Sequence, residues 1–254
     1  MTDESIGRRS RSVAVIPSRL ESSRLPRKAL ADICGLPMVV HVYHRCKLAK
    51  SLDDVFVATD SDEIRTVVED YGGKSIMTSV DHENGTERIA EAAKTIEADI
   101  VVNVQGDEVL VKPEHIDAAV NALTEDETVH VAILVNEFSK RNSPSDIKTV
   151  VNEKNNVMYL SRSDIPSDAR TKDAPLLKAY HILPFRKDFL LQYADWEKGL
   201  LEQIEFHEHL RILEKGYPIR AVKVDSSAIS VDTLNDLETV REIMKDDDLF
   251  SIYG

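Results

Sequence analysis

Between residues 13 and 135, short apolar runs alternate with stretches of helical periodicity, and the connections between them are short. Strands buried on both faces read as continuous apolar runs, so this alternation predicts a sheet of parallel strands with helices packed on either side. The runs are Val13-Ala14-Val15-Ile16-Pro17, Val55-Phe56-Val57-Ala58, a short one over 74–77, Ile100-Val101-Val102-Asn103-Val104, and 129–135. Helical spacing fills the intervals. One helix spans 37–50 with Pro37 in its first turn, and a second is capped by Asp60 or Ser61, runs through Val68 and is stopped by Gly72-Gly73. A third opens at Gly85-Thr86 and runs to about 96, and a fourth runs from Pro113 to Leu123. The predicted class is α/β, three layers in α/β/α order around a mixed, mostly parallel sheet.

The rhythm changes after about residue 136. Residues 139–156 are polar and include Ser143-Pro144-Ser145. Strands are predicted over 157–160, 176–183 and 219–224, with helices over 187–193, 201–215 and 234–244. Residues 138–175 read as an excursion from the sheet, an oligomerisation arm. Residues 1–12, polar with Arg8, Arg9 and Arg11, read as a flexible tail ahead of a single domain over 13–254.

A net charge of −13 argues against nucleic acid or an anionic membrane as partner, so an anionic substrate must be captured by local cations or a metal. No apolar stretch approaches the roughly 18 to 20 residues that span a bilayer. The first residues lack the apolar middle of a secretory signal, which predicts a cytoplasmic protein with Cys34 and Cys46 reduced.

The pentad Gln105-Gly106-Asp107-Glu108-Val109 follows directly on the fourth apolar run. An acid pair is thereby set at the carboxyl end of a buried strand, the edge at which open α/β sheets bind ligands. A carboxylate there suits Mg²⁺, which takes oxygen ligands and keeps phosphate in its shell. Asp232 follows a late apolar stretch ending at Val231, and with Thr233 and Asp236 it reads equally as a helix cap or as a second metal ligand. After the first strand, a basic segment carries Arg19, Arg24, Arg27 and Lys28 within ten residues. Arginine forks and a lysine point charge suit a polyphosphate, although a solvated basic loop has the same composition. Neither a Gly-x-x-x-x-Gly-Lys-Ser/Thr nor a Gly-x-Gly-x-x-Gly run occurs, which excludes the usual P-loop and dinucleotide-binding solutions.

The stretch Glu202-Gln203-Ile204-Glu205-Phe206-His207-Glu208-His209 lacks the two-histidine spacing of a zinc helix, because His207 and His209 point to different faces of the predicted helix. Glu202, Glu205, Glu208 and His209 share a side, lining a polar pocket or forming a solvated acidic face. His41, His44 and Trp196 read as packing residues.

These motifs, in this order, resemble the 3-deoxy-manno-octulosonate cytidylyltransferases, the CMP-Kdo synthetases. The likeness runs through Ile16-Pro17-Ser18-Arg19, Ser23-Arg24-Leu25-Pro26-Arg27-Lys28, Gly35-Leu36-Pro37-Met38, Val57-Ala58-Thr59-Asp60, and His82-Glu83-Asn84-Gly85-Thr86-Glu87-Arg88. It continues through Gln105-Gly106-Asp107-Glu108, Leu160-Ser161-Arg162, Leu210-Arg211-Ile212-Leu213 and Val231-Asp232-Thr233. The resemblance implies a nucleotide-diphospho-sugar transferase fold, usually dimeric through the arm. It implies transfer of CMP from CTP to a 3-deoxy sugar acid for lipopolysaccharide or surface polysaccharide. Asp107 and Asp232 would hold Mg²⁺, and Arg19 and Lys28, with Arg24, would stabilise pyrophosphate. Ser18, Gln105, Gly85 and Arg88 would face the nucleotide. Arg162 would meet the acceptor carboxylate beside His181, Glu208 and His209.

The departures from the family pattern gather at the sugar pocket. Where the family usually reads Lys-His-x-Gly-x-Tyr, this chain has Lys178-Ala179-Tyr180-His181-Ile182-Leu183, and where it usually has Glu-Gln it has Glu208-His209. The loop also reads Pro26-Arg27-Lys28-Ala29 instead of Pro-Gly-Lys-Pro, and Val109 replaces a proline. Losing hydroxyl partners shifts selectivity among acceptors, so the acceptor is either Kdo itself or an amino- or deoxy-modified relative. The alternatives are CMP transfer to a nonulosonic acid or a phosphonate, and a silent nucleotide-binding protein.

Overall fold

The computed structural model describes residues 9–21, 24–171 and 174–254. Residues 1–8 of the expected tail, and Ser22 and Ser23 of the basic loop, lie outside the described residues. The chain runs β1 (Ser12–Ser18), a 3₁₀ turn (Lys28–Leu30), β2 (Asp32–Ile33), β3 (Leu36–Pro37), α1 (Met38–Lys47), β4 (Asp54–Thr59) and α2 (Asp62–Asp70). Next come β5 (Ser75–Met77), α3 (Gly85–Ala93), β6 (Ile100–Val104), α4 (Pro113–Thr124), β7 (Ala132–Phe138), β8 (Lys148–Val151) and β9 (Val157–Ser161). It ends with β10 (Leu176–Tyr180), β11 (Ile182–Arg186), α5 (Lys187–Ala194), α6 (Leu200–Glu205), α7 (Leu210–Glu214), β12 (Arg220–Lys223), α8 (Leu234–Met244) and α9 (Phe250–Tyr253).

The first sheet has the order β11-β6-β1-β4-β5, with β6, β1, β4 and β5 parallel and β11 antiparallel to β6. Side chains of β1 are buried on both faces. Ala14 and Ile16 pack with α1, α2 and α4 on one side, while Val13 and Val15 pack with α3 and α5 on the other. That is the three-layer arrangement the apolar runs predict. Parallel strands send their carboxyl ends to one edge, so the segments after β1, β4 and β6 converge there.

The expectation of one mostly parallel sheet holds only for this half. A second sheet, β12-β7-β10-β8-β9, is antiparallel except for the β12–β7 pair, and it adjoins the first through a bridge between Val131 and Phe185. Residues 148–161 form its outer hairpin, paired to the rest through β10.

Two further differences shape the site. The strand predicted over 176–183 is broken at His181: Tyr180 pairs with Leu134 in the second sheet, and Ile182 with Val104 in the first. His181 therefore sits at the seam, beside the carboxyl end of β6. The helix predicted over 201–215 is also divided. Phe206 takes a left-handed φ of 49° and ends α6, leaving residues 206–209 as a loop before α7.

Candidate active site

The floor is set by Gly106. A Cβ there would lie 2.8 Å from Ser18 Oγ and 3.0 Å from the Pro17 carbonyl, so only glycine lets the turn after β6 press against the end of β1. Asp107 leaves that turn, and its carbonyl accepts from the amide of Val231 at 3.1 Å, which brings the segment before α8 alongside. Thr233 is the α8 N-cap in a capping box with Asp236, whose carboxylate accepts from the Asp232 and Thr233 amides. Capping is thus carried by the neighbours, and the Asp232 side chain turns into the cleft.

Lys28 Nζ donates to Asp107 Oδ2 at 2.7 Å and to Asp232 Oδ1 at 3.3 Å. The two carboxylate oxygens therefore cannot be more than about 6 Å apart. Burial pulls the Lys28 ammonium down, but the charges and hydrogen bonds of the two aspartates outweigh it, and its pKa is raised. Arg24 adds a 2.8 Å bond to Asp232, while Arg19 is exposed and makes no hydrogen bond or ion pair among the described residues. Beside Asp107, Glu108 is buried. Ser230 donates to its Oε1, and Oε2 has no partner among the described residues. Burial, then the charge of Asp107, pushes its carboxyl up to about 8.

Arg19, Arg24, Lys28, Asp107 and Asp232 line a cleft of about 290 Å³ with Ser18, Gly85, Arg88 and Gln105. Ser18 Oγ is buried without a hydrogen-bond partner among the described residues. Asn84 caps α3 by accepting from the Glu87 amide at 2.9 Å, so the positive end of the helix dipole faces the cleft at Gly85. Gln105 Nε2 donates to Asn103 Oδ1 at 3.0 Å. Arg88 is differently placed from the expected open nucleotide contact: its guanidinium is buried and bonded to Asp60 at 2.8 Å and Thr78 at 2.6 Å, bracing the cleft wall.

A second, larger chamber of about 710 Å³ shares Arg24, Gly85, Gln105, Asp107 and Asp232 with the first. The two carboxylates thus stand where the chambers meet. His181, Glu208 and His209 line this chamber, with His207 and Lys178 beside them. His207 and His209 lie on the loop after α6, their ring centroids 5.1 Å apart, rather than on opposite faces of a helix. Nor do the four residues expected on one helix side act together. Glu202 pairs with Arg211, Glu205 accepts from Ser161 and the Arg162 amide, and only Glu208 and His209 reach the chamber. Burial first, then Glu87 and Glu202, lifts the Glu208 carboxyl to about 7 against the hydroxyl of Thr86.

Arg162 does not meet the chamber. Its three guanidinium nitrogens donate to the carbonyls of Glu205, Pro144 and Phe206 at 2.8, 2.9 and 3.0 Å, so its fork staples the α6–α7 loop instead of facing a carboxylate. The described cations lining the chamber are Arg24, Lys140 and Lys178, and Lys178 pairs with Asp146 at 2.8 Å. Sequence reasoning missed Lys178, Asp146 and His207 as wall residues. No local pattern singles out Lys178, because Leu176 and Tyr180 on its own face of β10 are buried, as is Ala179 on the other.

The family described as Cytidylyltransferase matches residues 13–226. The 3-deoxy-manno-octulosonate cytidylyltransferase of Escherichia coli is 40% identical over 237 residues, covering 92% of this chain and 96% of the relative. The enzyme of the same name from Geobacter sulfurreducens is 42% identical over 246 residues, covering 91% and 98%. A solved structure of CMP:2-keto-3-deoxy-manno-octonic acid synthetase complexed with CTP superposes with a TM-score of 0.90 at 39% identity, over 93% of this chain and 99% of that one. At 13% identity, a 4-diphosphocytidyl-2C-methyl-D-erythritol synthase from Anaerococcus prevotii shares the fold with a TM-score of 0.62, over 93% and 96%.

Proposed function

This chain belongs to the cytidylyltransferase family, and from that premise we propose that it transfers CMP from CTP to the anomeric hydroxyl of 3-deoxy-manno-octulosonate (Kdo) and releases pyrophosphate. The observation that carries the reading is the Lys28 ammonium, held at 2.7 and 3.3 Å between two carboxylates at the junction of a nucleotide-sized cleft and an acceptor-sized chamber.

The donor set suits Mg²⁺: two carboxylates, one from the turn after β6 and one from the loop before α8, already converge on one cation, and both offer hard oxygen ligands. Asp107 and Asp232 would hold the ion. Bound there, Mg²⁺ supplies charge neutralisation of the triphosphate and lowers the pKa of the attacking hydroxyl. The protein's own groups do the rest. The α3 N-terminus and the Ser18 hydroxyl receive the nucleotide, and Gln105 faces it from the end of β6. Lys28, released from the aspartates, and the exposed Arg19 and Arg24 pair with the β- and γ-phosphates and stabilise the departing pyrophosphate. The acceptor oxygen bonds to the α-phosphorus, the bond to the β-phosphate bridging oxygen breaks, and the hydroxyl proton passes to solvent. Lys178 is the cation placed for the acceptor carboxylate.

A second acceptor, an amino- or deoxy-modified octulosonate, is favoured by one feature: His181, His207 and His209 present imidazoles to the chamber, whereas Leu183, expected to line it, is buried in the core instead. Pyrophosphate release from CTP, UTP and ATP across a panel of Kdo, modified Kdo and nonulosonic acids tests both readings. The first requires CTP with Kdo to give the highest kcat/KM, and no release with any pair sinks the transfer reaction. A homodimer is supported by exposed apolar side chains on neighbouring elements, namely Met158 of β9, Leu200 and Ile204 of α6, and Phe206. Among the described residues no helix is long and apolar enough to cross a membrane; a cytoplasmic reaction is part of the same proposal, because CTP is its donor.

A further inference from the structure

Three histidines from two distant segments meet in the acceptor chamber, and the transfer reaction uses none of them. His181 comes from the seam between the sheets, His207 and His209 from the α6–α7 loop, and one ring nitrogen of each lies within 4.8 Å of one in each of the others. The ring centroids are 5.4, 6.1 and 5.1 Å apart. Packing alone does not account for the arrangement. His207 Nε2 and His209 Nδ1 are buried with no hydrogen-bond partner among the described residues, on side chains whose residues are 7% and 1% exposed. A buried imidazole nitrogen left without a partner loses its water and gains nothing in return. Burial, the first cause in each case, holds all three rings neutral at physiological pH, which is the ligating form.

The surroundings match those of a ligand set. His209 Nε2 faces the Thr86 hydroxyl at 3.4 Å and the Glu208 carboxylate at 3.5 Å, the kind of outer partner that orients a ligating imidazole through its other nitrogen. The loop is fixed by the Arg162 bonds to the carbonyls of Glu205 and Phe206, and by the Tyr193 hydroxyl on the carbonyl of Glu208 at 3.2 Å. His181 keeps part of its ring exposed to the chamber.

We propose that His181, His207 and His209 form a second metal site, distinct from the aspartate pair, that binds a borderline divalent ion such as Zn²⁺ with its remaining position open to the acceptor. Nitrogen donors in tetrahedral zinc sites lie about 3.3 Å apart, so short side-chain rotations close the trio. Three imidazoles select Zn²⁺ or Co²⁺ over Mg²⁺, whereas the carboxylate pair selects the reverse. Metal binding stands independently of the transfer reaction; the assignment of the open position to the acceptor rests on that reading.

The test titrates metal-stripped full-length protein with Co²⁺ alone and follows its visible absorption. The expected result is one equivalent bound with intense d–d bands, displaced by Zn²⁺ and not by excess Mg²⁺. Binding should be weakened at least about tenfold in His181→Ala and in His207→Ala/His209→Ala, and kept in Asp107→Asn. Absence of those bands in the wild type, their displacement by Mg²⁺, or their loss in Asp107→Asn would overturn the site. If the alanine variants fail to fold, the wild-type and Asp107→Asn titrations decide it alone. Kdo added to the Co²⁺ protein should shift the bands, and unchanged bands remove the acceptor from the open position. Failure of pyrophosphate release with Kdo, by contrast, would strike the transfer reaction and leave Co²⁺ binding untouched.

Discussion

The Val231 amide donates to the Asp107 carbonyl at 3.1 Å, although more than about a hundred residues separate the two in sequence. This one backbone bond fastens the segment before α8 to the turn after β6, and it is why the neighbouring Asp232 shares a cation with Asp107. The cleft depends on this main-chain register as much as on the charges it displays.

Lys28→Met should lower kcat/KM for CTP by about 10- to 100-fold, the worth of a hydrogen bond to a charged group. In nucleotide-free protein the same change removes the cation lying between the aspartates. Mg²⁺ alone should then raise Tm more in the variant than in the wild type, by mass action on a vacated site. Thermal melts with and without Mg²⁺ check this, and an equal Mg²⁺ response in both proteins counts against the shared site.

Gly106→Ala should move the turn that carries Asp107, because the added methyl meets the Pro17 carbonyl at 3.0 Å as well as the Ser18 hydroxyl. Overpacking of this kind costs about 1–3 kcal/mol. Turnover should fall further than stability predicts, and denaturant melts measured beside pyrophosphate release separate the two.

Arg162→Ala should raise the KM for the acceptor about tenfold, since it removes two bonds of about 0.5–1.5 kcal/mol each that hold the α6–α7 loop, and a third that ties that loop to Pro144. The KM for CTP should stay within about twofold, because the nucleotide cleft is built from other segments. A rise in the KM for CTP instead would place Arg162 in the nucleotide site.

Glu108 should make stability fall with rising pH. Its folded pKa, pushed up to about 8 by burial and then by Asp107, lies above the ordinary 4.5, so the native state keeps a proton that the unfolded state has released. The stability this gives is complete below about pH 4.5 and is lost as pH rises through about 8. Glu108→Gln, which fixes the neutral form, should flatten that slope in chemical denaturation between about pH 5.5 and 8.5. An unchanged slope would show that Glu108 is ionised in the native state. His181 works in the opposite sense. With its pKa lowered to about 4 by burial and then by Lys178, its contribution is present above about 6.5 and lost as pH falls through about 4.

Much of this is written locally in the sequence, and the remainder lies in contacts that are not. Apolar runs such as Ile100-Val101-Val102-Asn103-Val104 announce buried parallel strands, and an acid at such an end announces a ligand edge. The break at His181 is silent because the residues on both sides suit strands equally, and no glycine or proline marks the change of sheet. The break at Phe206 is silent too, since a non-glycine residue there takes a left-handed φ held by Arg162 from the far hairpin. Arg162 misleads for the same reason. Its fork suits a carboxylate, and only the fold shows three backbone carbonyls already in its grip. The second sheet arises from pairings between strands far apart in the chain, which periodicity does not encode.

The account stands or falls on Asp107 and Asp232 acting as one unit, and a double-mutant cycle on pyrophosphate release at saturating Mg²⁺ measures that directly. Asp107→Asn and Asp232→Asn should each lower kcat by about 10²–10³-fold, and the double variant should be little worse than either, as expected of groups that hold one ion together. Multiplying losses, or near wild-type turnover in either single variant, would contradict it.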